Sequence, residues 1–126
     1  MTWTLLHDRM AFMAELIRAA EADPEAALQL ADRASEVSRL FGDEEGLLLS
    51  LRHRWMMMLV AKLDQAAHDD VTAEQARADL TAAQPGLHAL VELAALRSLR
   101  VRSVSRSEQR AVDLFGGTPS DRQTVA

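Results

Sequence analysis

Between Asp43 and Asp69 the sequence holds no proline and one glycine, and its apolar residues do not keep to one side. Leu47, Leu48, Leu49, Leu51, Trp55, Met56, Met57, Met58, Leu59, Val60, Ala61 and Leu63 are spread around the axis at 100° per residue. A helix that is apolar all round is buried all round. The reading is a central helix over about 43–69, roughly 40 Å long at about 1.5 Å per residue. It must be covered by other helices or, where it outruns them, by a second chain.

The rest of the chain is arranged to supply that cover. Leu6, Met10, Met13, Ile17 and Ala20 repeat at steps of four and three, which predicts a helix over about 4–22 with one buried face. Asp23 and Pro24 read as a helix start, and Gly42 as the stop of a second helix over about 24–41. Leu30, Ala34, Val37 and Phe41 form its seam. Thr72 with Gln75 reads as a capping box opening a short, polar helix over about 73–84, a lid more than a core member. Pro85-Gly86 ends it, and Leu87, Leu90, Val91 and Leu93 begin a further helix. Ser105 and Glu108 suggest a last helix over about 106–115, anchored by Val112, Leu114 and Phe115. Residues 118–126 read as a flexible tail.

No strand-like alternation competes with this pattern. The expected fold is all-α, an antiparallel helical bundle of four main helices (4–22, 24–41, 43–69 and the one beginning at Leu87) with short accessory helices, in a single domain over 1–117. With 126 residues, 48% of them hydrophobic, one core suffices without disulfide or metal, and cysteine is absent. The longest apolar run, Trp55 to Ala61, is seven residues against the ~20 of a membrane-spanning helix. Met1-Thr2-Trp3-Thr4 lacks the basic and apolar stretches of a secretory leader, so the expected location is the cytoplasm.

The stretch from Ala26 to Ala61, with Leu-Phe-Gly-Asp-Glu-Glu-Gly between two helices, resembles the helix-turn-helix joint of tetratricopeptide-type repeats found in helical regulators. The resemblance covers one joint, under a third of the chain, and the aromatic and glycine positions that define the repeat elsewhere are missing.

Catalytic patterns fail one by one. Glu-x-x-His, which di-iron bundles use, occurs at none of His7, His53, His68 or His88, and His-Glu-x-x-His is absent. His88 with Glu92 and Asp64 with His68 are each half of a metal set, and an ordinary ion pair accounts for them. The acids Asp69, Asp70 and Glu74 suit a solvated turn. There is no Gly-x-Ser-x-Gly elbow, no Ser-x-x-Lys and no phosphate-cradling loop. The expectation is a chain that is not an enzyme and needs no cofactor or metal.

Two features point to binding. Trp55, Met56, Met57 and Met58 join an adaptable thioether surface to an aromatic ring, with Arg52 and Arg54 placing positive charge at its rim. Core packing is the default account of the same four residues, since they suit any central helix. The other feature is a charge asymmetry: residues 1–96 carry eight basic and sixteen acidic groups, residues 97–126 six and three. Arg97, Arg100, Arg102, Arg106 and Arg110 form a basic stretch, and the segment from Ser105 to Gly117 resembles the first helix and turn of a helix-turn-helix DNA reader. The segment from Ser120 to Ala126 is too short for a recognition helix and the whole chain is acidic, which weighs against nucleic acid; intramolecular pairing of these arginines is the competing account. The leading expectation is a non-enzymatic interaction or regulatory module, a homodimer or the receiver of a protein partner. The alternatives are a small-molecule regulator with a Met/Trp-lined pocket and a nucleic-acid accessory protein using the arginine face.

Overall fold

Three of the first four α-helices open where a short polar side chain satisfies a free backbone amide. In the computed structural model, which describes residues 2–116, Thr2 Oγ1 accepts from Leu5 N (3.0 Å) at the head of α1, Trp3–Ala20. Asp23 accepts from Ala26 N (3.1 Å) before α2, Pro24–Ala27, and Asp43 from Gly46 N (2.7 Å) before α4, Glu44–His68. Between them lie a 3₁₀ turn over Ala31–Arg33 and α3, Ala34–Phe41. Gly42 ends α3 with φ +88°, a conformation that side chains rarely adopt. α5, Ala73–Ala83, α6, Pro85–Arg97, and α7, Leu99–Gly116, complete the described chain. The fold is an all-α helical bundle with no strand among the described residues. The tail assigned to 118–126 and the anchoring side chains of Val112 and Phe115 lie outside what is described.

Cross-contacts give the helix directions. Asp8 pairs with Arg39 (3.6 Å) and Glu15 with Arg33 (3.3 Å), so α1 and α3 run antiparallel. Glu44 meets Arg97 (3.3 Å) while Trp55 stacks at a tilt on His88 (5.2 Å between centroids), so α4 and α6 are antiparallel too. Leu47, Leu51, Trp55, Leu59 and Leu63 recur every fourth residue and form the spine of the core. Phe12 and Leu16 of α1, Leu40 of α3, Leu80 of α5, Leu87 and Leu90 of α6 and Val101 of α7 close around it.

Four expectations need correction. The helix expected over 24–41 is interrupted: α2 ends at Ala27, a 3₁₀ turn covers Ala31–Arg33 and α3 begins at Ala34, with Leu28 and Leu30 both buried in between. The segment over 73–84 is no lid: Ala73, Ala76 and Leu80 are buried, and α5 packs along α4. Its start is as expected, although Gln75 turns to Asp79 (2.8 Å) while Thr72 Oγ1 caps Gln75 N (3.0 Å). The last helix begins at Leu99, a full turn and more before Ser105.

The fourth correction concerns the central helix. It is buried toward α3, α5, α6 and α7, but Met57 is 60% exposed and Val60 47%, with His53 and Ala61 also open. The cover was expected from other helices or from a second chain. α1 makes its close contacts elsewhere, with α2, α3 and α6. At the contact with α6 a Cβ on Gly86 would sit 2.3 Å from the Ile17 carbonyl oxygen, so the absence of a side chain there lets α6 lie directly against the α1 backbone.

Candidate functional site

With α1 held against α6, a groove remains between α1 and α4. Its α1 wall is Leu6, Met10 and Met13, at steps of four and three. Its α4 wall is Leu49, His53 and Met57 with Ser50, Arg54 and Met58, two rows at steps of four, and Phe41 lies at the base. The volume is about 640 Å³, and four of the chain's six methionines line it. From Leu6 to Met13 and from Leu49 to Met58 the walls extend about 10–14 Å, two to three helical turns. Trp3, 82% exposed, continues the apolar surface past one end with Leu6, His7 and Met10.

The base is fixed by aromatic and cationic packing. Phe12 and Phe41 meet edge to face at 5.6 Å, the Arg9 guanidinium lies 5.9 Å from the Phe41 centroid, and Arg9 Nε donates to the Leu40 carbonyl. On the other side of Phe12, Arg33 sits over the ring (4.1 Å) and is held by Glu15 and Glu36. These contacts tie α1 to α3 at the foot of the groove, so the walls are set by α1, α3 and α4 together.

The residues expected at the site separate. Trp55 is fully buried, facing His88 on α6, so it does not line a pocket with the methionines. Met56 packs partly buried against the core, Met57 points outward and Met58 lies between, since four consecutive residues cover most of a helical circumference. Arg52 is also corrected: one turn before Trp55 on the inward face, it is 3% exposed and lies inside rather than on a rim. Arg54 does line the groove. Its Nη1 is shielded from solvent and donates to no acceptor among the described residues. Leu6, Met10, Met13, Phe41 and Leu49 were not expected here. The signal was the width of the first helix's stripe, which includes Leu6 and Met10 on one flank and Phe12, Leu16 and Ala20 on the other, enough for two faces.

The arginine stretch divides as well. Arg97 Nη1 donates to the Leu28 carbonyl (3.0 Å) and pairs with Glu44; Arg100 pairs with Glu45 (3.1 Å), to which Ser98 also donates (3.1 Å). The positive charge that looked available therefore clamps the α6–α7 joint onto the acidic first turn of α4, where the macrodipole also favours those acids. Arg102 Nε donates to the Ala95 carbonyl (3.1 Å), and Arg102, Arg106 and Arg110 share one face of α7 at steps of four.

A second cleft, about 580 Å³, opens between α5, α6 and α7 beside Glu74, Arg77, Thr81, His88 and Gln109. It mixes both charge signs. His88 Nε2 lies 3.3 Å from Glu92, an intrahelical pair. Among the described residues no group of three or more His, Asp or Glu is placed to hold a metal ion. No helix among them is long and apolar enough to cross a membrane. Comparison with known proteins finds no matching family model, no matching curated protein and no matching solved structure.

Proposed function

We propose that this chain is a non-enzymatic interaction module whose α1–α4 groove receives one face of an amphipathic helix from a partner protein. The observation that carries the reading is the convergence of Met10, Met13, Met57 and Met58, from two helices that do not pack closely on each other, on an open channel two to three turns long. Methionine adapts its shape at low cost, which suits a surface that must fit another helix.

The test is methyl NMR on methionine-labelled protein titrated with a designed helical peptide bearing leucines at i, i+3, i+4 and i+7. Met10, Met13, Met57 and Met58 are expected to shift, and Met56 to stay. Absence of shifts at millimolar peptide, or a shift at Met56 equal to the rest, overturns the reading. Sedimentation of the free protein separates the homodimer form: a dimer whose formation shifts the same four methyls makes a second copy the occupant.

A small amphipathic acid is the second reading, favoured by the volume of about 640 Å³, which falls in the range of small-ligand sites. A thermal-shift series with such acids tests it.

A further inference from the structure

We infer that the helix received by the groove is acidic, with a carboxylate placed mid-helix against Arg54; this rests on the groove being a helix-docking site. The chain has nineteen acidic residues against fourteen basic, yet no Asp or Glu lines the groove, while Arg9, His53 and Arg54 do. The nearest acid on the α1 wall, Asp8, is engaged with Arg39 (3.6 Å). Ser50, the other polar lining residue, already donates to the Gly46 carbonyl (2.9 Å). Arg54 differs: it lines the groove with no acid beside it in the lining. A guanidinium covered by a docked apolar helix without an acceptor is costly, and a carboxylate is the acceptor whose planar geometry fits it best. Arg54 stands one turn before Met57 and Met58 and one turn after Ser50, so the acid belongs in the middle of the docked helix, beside its apolar anchors.

The same charges argue against a second copy as the occupant. Most of the chain's own exposed apolar helical positions away from the groove-bearing face of α4 adjoin arginines: Leu96 and Leu99 lie beside Arg97 and Arg100, and Leu114 one turn after Arg110. The α1 face of Trp3, Leu6 and Met10 carries Arg9 and no acid in its first turn. Docking any of these would bring cations toward Arg54. Val71, exposed among Asp69, Asp70 and Glu74, offers one anchor at a turn rather than a helical row. A different chain, with glutamate or aspartate flanking its apolar stripe, is complementary where a copy is not.

The experiment uses two labelled helical peptides with one apolar face in common, flanked by glutamate in one and lysine in the other, titrated against the full chain by fluorescence anisotropy. The glutamate peptide is expected to bind about tenfold tighter or more, an advantage that shrinks with added salt. Arg54→Gln is expected to bring the two affinities within about twofold, while Met57→Glu abolishes binding of both peptides. The emission of buried Trp55 checks that each variant is folded. Equal or tighter binding of the lysine peptide, or discrimination unchanged in Arg54→Gln, overturns the acidic partner while leaving the groove in place. Binding that survives Met57→Glu, or failure of both peptides to bind at millimolar concentration, overturns the groove reading and this inference with it. A medium-chain fatty acid that binds where both peptides fail makes the occupant a small acid and likewise refutes the proposal.

Discussion

Replacing Gly86 with alanine adds one methyl group at the point where α6 meets α1. The added Cβ would lie 2.3 Å from the Ile17 carbonyl oxygen and 3.0 Å from Glu21 Cγ. The glutamate stem can swing away, but the carbonyl belongs to α1, so relief requires the two helices to part by about 1 Å to reach van der Waals contact. Ile17, Ala20 and Leu16 on α1 would then lose packing against α6, at a cost of about 1–3 kcal/mol by analogy with overpacked cores. Alanine returns something, since it is favoured over glycine inside a helix by about 1 kcal/mol, and by less at the second residue of α6. The net expectation is a loss of about 1–2 kcal/mol. Urea unfolding should show it as a midpoint lower by roughly 0.5–1 M, with the slope unchanged, given slopes of about 2 kcal/mol/M. Because α1 moves as a wall of the groove, the Met10 and Met13 methyl resonances should shift with it. A variant as stable as the parent, with those methyls unmoved, would show that the Gly86 contact does not set the position of α1 against α6.

The two tryptophans make a further prediction. Emission from Trp55, wholly buried, should be blue-shifted and resistant to acrylamide, while Trp3 should be red-shifted and quenched; Trp3→Phe is expected to remove the quenchable component with less than about 0.5 kcal/mol change in stability. Trp55→Ala should cost about 3–5 kcal/mol, and a cost below about 1 kcal/mol would contradict its place in the core. For Arg97→Ala, loss of the bond to the Leu28 carbonyl should destabilise by about 1 kcal/mol, whereas Glu44→Gln, which removes only the half-exposed partner, should cost under about 0.5 kcal/mol in thermal melts; equal costs would mean that the ion pair, rather than the carbonyl bond, does the anchoring.

The helices themselves were legible because their signals are local. Asp23 and Thr72 cap helices where the sequence places them, and Gly42 ends one with positive φ. The break at Leu28 to Leu30 was not legible, since nothing nearby distinguishes a helix from a turn whose carbonyl is received by Arg97 from the far end of α6. The candidate site shows the same limit. Met57, Met58 and Arg54 stood out in the sequence, yet Trp55 and Arg52, equally prominent, turn inward, and one wall of the groove comes from α1. Likewise, the arginines after Ala95 looked available for phosphate until Glu44 and Glu45 were found beside Arg97 and Arg100.

By itself the amino-acid order determined that this chain is helical, where several of its helices start, and that the segment from Leu47 to Leu63 is its spine, because helix periodicity and capping act over four residues or fewer. Only the tertiary structure decided which side of that spine stays open. There α1 lies against α6 at Gly86, about seventy residues away along the chain, and a contact between segments so distant leaves no periodic mark in either.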